Sequence, residues 1–534
     1  MKHLHLLILI VAIKIALLLL SGDVSAQVIP FPDVSFGNGG QVLDKVKSAS
    51  DDIGKSVVIQ NDDKIVLAGS SDAGTGAADI VIMRYKKNGQ PDKSFNGTGK
   101  KVIKNAWCSA MAVQPDGKLV ICGSKKDDSH LAMALWRLNN NGTADATFGN
   151  AGEQVIALSN DATCYSILIQ PDGKMLIAGH DGSFKTGNAA LVIARINMDG
   201  RLDTSFSRNG IFTRKLYQKN LACRKLLLQP DGNIIAAGQM TTTDYRLPAS
   251  EFFALRIHGN GMIDSSFAVN GMFSQRNSNS DNCYTAGLLP DGHVLLAGSS
   301  QFTGYMAASI LGLTANGNVD HTFGKEGWVY PNYFGSSNAM INSIVIQQDG
   351  KILLAGSAGY SFPSVTAVTL ARLKRNGALD QEFGMGGMDT SFVTALNAIA
   401  CNDMTLMNNG KIIITGYKAT ANDWIMTARY LNDVQELKLA ESMESSMITD
   451  LKISPVPVRG DAATISFTIG AADVVTVRLY DINGQEMITP VSWQVEKGSA
   501  SNAIFLPAEL PAGIYFCNVK SKEGIESITF ELER

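Results

Sequence analysis

The sequence contains no HExxH, no GxSxG, no P-loop and no CxxC. The spacings that announce a zinc protease, a serine hydrolase, a phosphate-cradling loop or a dithiol redox centre are therefore missing. Histidine is scarce. There are seven; His3 and His5 lie at the extreme N-terminus, and His130, His180, His258, His293 and His321 occupy unmatched positions in the pattern described below. Charge is scarce as well: 18% of residues are charged and the formal net charge is −3, which gives no electrostatic footprint for a nucleic acid or an anionic membrane. Adjacent acids such as Asp127-Asp128 fall in loops and read as solvated surface. With 45% apolar residues over 534 positions, the chain is globular and long enough for several domains or one large repeat array.

The N-terminus reads as an address. Lys2 and His3 precede the apolar run Leu6 to Ile13, Lys14 interrupts it, Ile15 to Leu20 resume it, and Val24-Ser25-Ala26 offers small residues for cleavage. The run is too short and broken for a stable membrane span. Residues 1–26 are expected to be a signal peptide, and no Cys stands near the cut to take a lipid.

What is abundant is repetition. The phrase CYSILIQPDGKMLIAGHDGS at Cys164 returns as CSAMAVQPDGKLVICGS, CRKLLLQPDGNIIAAGQ and CYTAGLLPDGHVLLAGS. The turn glycines Gly117, Gly173, Gly232, Gly292, Gly350 and Gly410, with Asp63 in the same column, recur every 54 to 60 residues. Six residues after each stands another glycine: Gly69, Gly123, Gly179, Gly238, Gly298, Gly356 and Gly416. A second anchor, Asp-x-x-Phe-x-x-x-Gly, begins at Asp33, Asp92, Asp145, Asp203, Asp264, Asp320 and Asp380.

Between the anchors lie short apolar, β-branched segments such as SVVIQ, KIVLAGS and DIVIMRY, bounded by Asp-Gly and Asn-Gly pairs that accept the positive φ of a tight hairpin. The hairpin turns are placed at Asp116-Gly117, Asp172-Gly173, Asp231-Gly232, Asp291-Gly292 and Asp349-Gly350. Each unit supplies about four strands, one propeller blade. A blade cannot bury both faces alone, so the array is expected to close. The first Asp-x-x-Phe block lacks a preceding "ARLxxNG" strand and the last such strand, at Ala428-Arg429-Tyr430, lacks a following block. One half-unit at each end makes a whole blade, so the fold expected is all-β, a seven-bladed β-propeller.

The combination of Asp-x-Ser-Phe-Gly-x-x-Gly, Gln-Pro-Asp-Gly-Lys-Ile-Leu-x-Ala-Gly and Ala-Arg-Leu-x-x-Asn-Gly resembles the delta-60 repeat family of bacterial secreted proteins. The resemblance covers about residues 33 to 434, within a repeat region taken as 27–434, and implies a β-propeller-like domain without a known activity. The pattern departs at Asn61-Asp62-Asp63-Lys64, at Asn408-Asn409-Gly410-Lys411, and at Gly312, where the other copies carry Arg.

Three columns invite chemistry. Arg84, Arg137, Arg195, Arg256, Arg372 and Arg429 are read as partners of their own blades' turn carboxylates or of carbonyls, rather than as a cationic ring awaiting a ligand. The periodic Asp residues supply one carboxylate each, too few for a calcium loop, and read as turn openers with Phe as a wedge between blades. Cys108, Cys164, Cys223, Cys283 and Cys401 share one slot, which Gly54 and Ile341 fill elsewhere. They are read, with Cys122, as packed core thiols; a thiol ring for a soft metal is the alternative. No catalytic residue, cofactor or metal ligand is assigned.

After Tyr430 the composition changes. Residues 435–450 read as a polar linker, and 451–534 as a small C-terminal β-sandwich with a hairpin at Asn483-Gly484. This stretch resembles the C-terminal sorting domain of the type IX secretion system of Bacteroidota: Ile453-Ser454-Pro455-Val456-Pro457 stands at the family's opening, Tyr480-Asp481-Ile482-Asn483-Gly484 at its Tyr-Asp turn, and Leu510-Pro511-Ala512-Gly513-Ile514-Tyr515 at its Gly-x-Tyr strand. Val456 departs from the family's Asn. The resemblance implies recognition by the type IX machinery through Pro455, Pro457, Asp481, Gly484, Gly513 and Tyr515, and a secreted or outer-membrane surface location reached through the periplasm. The propeller is then expected to be cargo, a binding or scaffold module for a glycan or a protein, with no nucleic acid and no stable membrane span. The alternative is a secreted hydrolase or lyase with its active site at one mouth of the propeller channel.

Overall fold

The computed structural model describes residues 32–534 apart from 48–49, 73, 75–77, 127–129, 159, 244–248, 334–335, 337, 362–363, 385, 390–398, 421, 433–447, 470–472, 482–485, 497 and 522–524. The expected signal peptide, most of the expected linker, Asp127-Asp128 and the expected Asn483-Gly484 hairpin lie outside the described residues. The described elements are strands, and the chain divides into two compact units, Met1–Asn432 and Asp433–Arg534.

In the first unit, strands pair in antiparallel groups of four. Ala162–Ile169 pairs with Met175–Asp181, that with Ala190–Ile196, and that with Ile211–Arg214. The same order recurs in Asp51–Ile103, Ala106–Ile156, Lys219–Gln275, Ser280–Val329 and Asn338–Asp389; a single parallel bridge, Met306 to Asn338, joins the last two groups. In the final group, Ile399–Leu406, Ile412–Lys418 and Trp424–Tyr430 take their outer strand from the other end of the chain, Gln41–Asp44. The strand that opens each repeat thus completes the sheet of the repeat before it.

The middle strands are buried on both faces, and Ala78–Tyr85 is buried throughout. That matches their near-continuous apolar sequences, because a blade packs against a neighbour on either side. The Asp-x-x-Phe residues clamp successive blades together. Phe36, Phe95, Phe148, Phe206, Phe267, Phe323 and Phe383 are fully buried or nearly so. The amide after the Phe donates to the turn of the next blade, as in Asn96 to the Asn141 carbonyl at 2.7 Å, Gly149 to Asp199 at 2.8 Å and Ser207 to Asn260 at 2.8 Å.

The second unit has a three-strand sheet (Ile448–Ser454, Ala462–Ile469, Gly498–Phe505) and a five-strand sheet ordered Val458–Arg459, Ile525–Glu533, Gly513–Lys520, Asp473–Tyr480, Val491–Val495. Here burial alternates along Ala462–Ile469 and Asp473–Tyr480. Ile465, Phe467, Val477, Leu479, Tyr515 and Phe530 from both sheets share one core, so each sheet has one packed face and one wet face.

Candidate functional site: the bulge ring and its cavity

The innermost strand of every blade contains the cysteine slot, and directly after it the ladder slips. The pairing skips one residue between Gly54 and Ser56, Cys108 and Ala110, Cys164 and Ser166, Cys223 and Lys225, Cys283 and Thr285, Ile341 and Ser343, and Cys401 and Asp403. This is a β-bulge, which leaves its extra residue outside the ladder. The residues left out are Lys55, Ser109, Tyr165, Arg224, Tyr284, Asn342 and Asn402, and all of them line one cavity of about 320 Å³.

Two sequence columns exist to make that bulge. A Cβ built on Gly179 would lie 1.8 Å from the Thr163 carbonyl oxygen, and the corresponding approach at Gly69, Gly123, Gly238, Gly298, Gly356 and Gly416 is 1.8 to 2.4 Å. Only glycine admits so close an approach of the bulged backbone. The cysteine thiols close the loop of the bulge from the other side: Cys164, Cys223, Cys283 and Cys401 each donate to the carbonyl two residues on, at 3.4 to 3.6 Å.

Part of the ring is spent on holding blades together. The Asn342 side-chain amide donates to the Cys401 carbonyl at 2.8 Å and that of Asn402 to the Gly54 carbonyl at 2.7 Å. Asp403, the acid of the cavity lining, accepts from Ser56 Oγ (3.1 Å), the Val57 amide (3.0 Å), Ser343 Oγ (3.0 Å) and its neighbour's amide at Met404 (2.9 Å). Its lone pairs are therefore committed to the seams that the last blade makes with the first blade, through Ser56 and Val57, and with the blade before it, through Ser343.

The other side of the ring is different. The Arg224 guanidinium lies 4.1 Å from the centre of the Tyr165 ring, reaches Gln239 Oε1 at 3.5 Å, and leaves Nε without a hydrogen-bond partner among the described residues. His180 stacks on Tyr165 with 5.5 Å between centroids and meets the edge of Phe184 at 5.0 Å. Burial, and then the Arg224 charge, push the His180 imidazole down to about 4, so it is neutral at neutral pH. Tyr284 accepts from Ser299 Oγ at 3.4 Å. Lys55, across the ring, is pushed below the usual ammonium value by burial.

The arginine column behaves otherwise. Arg84, Arg137, Arg195, Arg256, Arg372 and Arg429 each place Nε 2.7 to 2.8 Å from the carboxylate of Asp92, Asp145, Asp203, Asp264, Asp380 and Asp33. Their guanidinium carbons lie 4.5 to 5.0 Å from the Phe ring centres of the same blocks. The other oxygen of the Asp caps its own turn, as in Asp145 Oδ1 with the Thr147 amide (3.0 Å) and hydroxyl (2.7 Å). Where Gly312 replaces Arg, the Phe323 ring comes within 2.8 Å of where a Cβ would stand, and Asp320 is met by His293 at 3.7 Å instead.

The hairpin residues named from sequence occupy the outer ends of the two inner strands. Asp116, Asp172, Asp231, Asp291 and Asp349 accept the amide two residues on at 3.0 to 3.3 Å, and Gly117, Gly173, Gly232, Gly292 and Gly350 have φ of +80° to +86°. They do not join the cavity. The seven cysteines are unpaired and buried. No group of three or more metal-ligating side chains occurs among the described residues. In the second unit, Pro455 and Pro457 flank the end of Ile448–Ser454, Asp481 follows Asp473–Tyr480, and Gly513 opens the strand that carries Tyr515. Tyr515 donates to the Pro511 carbonyl at 2.7 Å and stacks on Phe530; Gly484 lies outside the described residues.

A separate aromatic cleft of about 460 Å³ lies beside the link between Ser280–Val329 and Asn338–Asp389, lined by Phe302, Tyr305, Tyr330 and Pro331. Phe302 stacks on Tyr305 at 5.2 Å and meets the Tyr330 ring edge-on at 5.7 Å. Sequence reasoning passed over these residues because none stands in a repeated column: Phe302 and Tyr305 close the hairpin between two strands of one blade, and Tyr330 and Pro331 lie in the irregular link.

The model of the beta-propeller domain of unknown function DUF5122 matches residues 60–95, 114–148, 170–206, 229–267 and 347–383, and that of the secretion system C-terminal sorting domain matches 452–530. The chain is a propeller-repeat protein with a sorting tail. The repeat match omits the copy in which Gly312 and His293 break the columns and also the last copy, which carries Gly410 and Arg429. The tail marks the propeller for export to the cell surface or the medium, and it implies contact with the type IX secretion machinery. No helix among the described residues is long and apolar enough to cross a membrane. No curated protein matches the chain. Among solved structures, a protein of unknown function from Dyadobacter fermentans is 13% identical, with a TM-score of 0.39 over 74% of this chain and 98% of its own. The polysaccharide lyase Uly1 is 10% identical, with 0.38 over 77% and 98%. The propeller domain of the Trilobed protease from Pyrococcus furiosus is 10% identical, with 0.40 over 72% and 95%.

Proposed function

We propose that the propeller is a binding module delivered outside the cell, and that it takes its ligand in the cavity lined by the bulge ring. The observation that carries this reading is the ring itself. Seven repeats hold their anchors fixed, yet the bulged residue that each blade contributes to the cavity lining is Lys, Ser, Tyr, Arg, Tyr, Asn and Asn. A scaffold that spent this position on packing would repeat it as faithfully as it repeats Gly179 or Phe148. In this reading residues 27–434 form a closed seven-bladed propeller of delta-60 repeats, 435–450 a linker and 451–534 a β-sandwich of the Bacteroidota sorting type. A signal peptide at 1–26 opens the export route, and Pro455, Pro457, Asp481, Gly484, Gly513 and Tyr515 are the tail residues the machinery recognises.

The test is an array of glycans and of surface proteins probed with residues 27–434, beside a fourfold variant in which Lys55, Tyr165, Arg224 and Tyr284 are all Ser. Binding that the variant loses while keeping its unfolding temperature supports the reading. Undiminished binding by the variant places the ligand elsewhere, and the aromatic cleft is then the next surface to alter.

A further inference from the structure

Lys55 and Arg224 differ from the other interior cations in one respect. The arginines of the repeat column each sit against a carboxylate, whereas no described carboxylate lies within ion-pair distance of Lys55 or Arg224. The acid in their own cavity, Asp403, has its oxygens taken up by Ser56, Val57, Ser343 and Met404. Lys225, the residue after Arg224, adds a third positive charge to the lining. Partly buried charges are costly unless paired, and a fold that pairs its arginines six times over has the means to pair these.

We propose that the cavity takes an acidic saccharide, a sugar residue bearing a carboxylate, whose charged group is received by Arg224 and Lys55. The proposal rests on the binding-module reading and names its ligand class. The Arg224 guanidinium is planar and is already oriented by the Tyr165 ring beneath it, and its fork of N–H donors suits a two-oxygen acceptor. The rest of the lining mixes polar side chains with apolar ones such as Val57, Met111 and Ile344. Ser109, Thr285 and the Tyr165 and Tyr284 hydroxyls complement the many hydroxyls of a sugar, and the Tyr284 ring gives its ring a flat apolar face. A cavity of about 320 Å³ suits a sugar unit, not a folded protein.

The experiment is calorimetric titration of residues 27–434 with trigalacturonate, maltotriose and sodium sulfate, repeated with Arg224→Gln and Lys55→Gln. Trigalacturonate is expected to bind, with affinity falling as salt rises, and each substitution is expected to weaken it about ten- to a hundredfold, the worth of a charged hydrogen bond. Unfolding temperatures of the variants are to match the parent, and Ser109→Ala serves as a cavity variant that leaves the charges in place. Maltotriose binding as tightly as trigalacturonate overturns the acidic class while the binding-module reading stands. Sulfate competing as well as trigalacturonate overturns the saccharide part. Absence of trigalacturonate binding at millimolar concentration overturns the proposal, and the array above decides the wider reading independently.

Discussion

Arg429 Nε lies 2.8 Å from Asp33 Oδ2, a contact between residues 396 positions apart that fastens the chain's first repeat block to its last. Its Nη1 donates to the Lys87 carbonyl in the first blade, and Lys411 Nζ meets the same Asp33 oxygen at 2.8 Å. The pair is buried, so removing one partner strands the other charge away from water. Asp33→Asn is expected to cost about 3–5 kcal/mol in a urea titration. Asp62→Asn is the comparison, because the Asp62 side chain is 50% exposed and its pair with Lys64 should contribute little. Equal, small effects from the two substitutions would show that the closure pair contributes nothing.

Acid should loosen the propeller as a whole. Burial raises the carboxyls of Asp33, Asp92, Asp145, Asp203, Asp264 and Asp380, but hydrogen bonds from Ser, Thr and Lys together with the Arg charge more than reverse it, and all are held below the ordinary 3.8. A depressed folded value means the stabilisation is complete above the unfolded value and is lost as pH falls through the folded one. Thermal unfolding temperature should therefore be nearly level from neutrality to about pH 5 and fall steeply below about pH 4. A midpoint unchanged at pH 3 would contradict the carboxylate network.

Glycine at the bulge is expected to be irreplaceable. Gly179→Ala places a methyl group 1.8 Å from the Thr163 oxygen, so the inner hairpin must shift. Overpacking of this kind costs about 1–3 kcal/mol or more. Gly513→Ala, where nothing lies within 4 Å of the added carbon, should change stability by less than about 0.5 kcal/mol. The denaturation midpoints of the two variants decide it.

The thiols should be silent in the folded protein. Burial pushes Cys108, Cys283 and Cys517 up to about 12 and raises Cys122, Cys223 and Cys401 as well. Thiolate and access are both denied, so a thiol reagent should label native protein slowly, and no stoichiometric zinc or copper should bind. Unfolding should release all seven. Rapid native labelling that a soft metal suppresses would return the metal-ring alternative.

Removing 451–534 should strand the propeller in the periplasm of its host, since the tail carries the export signal. Cell fractionation is the measurement, and undiminished surface or medium levels would contradict it.

The sequence spoke most clearly where backbone geometry tolerates a single residue type. The hairpin glycines with positive φ, the Asp that caps its own turn and the Phe buried between blades each recur because no other residue does the same work, so period and strand order could be read from them. The Arg column was legible as pairing because the carboxylates came with the same period. The bulge was not. A slip of the ladder leaves the apolar pattern on both sides intact, and Tyr165 or Arg224 looks like noise beside the cysteine it follows. The signal that was available lay in the second glycine column, six residues after each turn: a glycine inside an apolar strand, without a positive φ, marks the approach of another backbone.

The bulge also separates what may drift from what must not. A residue in the ladder answers to a partner strand, a neighbouring blade and a core; the bulged residue has no ladder partner, and apart from Asn342 and Asn402, which bond the next blade, it can be exchanged without repairing register. The seven repeats thus share one backbone device and differ in the side chain it presents, from Lys55 in the first to Asn402 in the last.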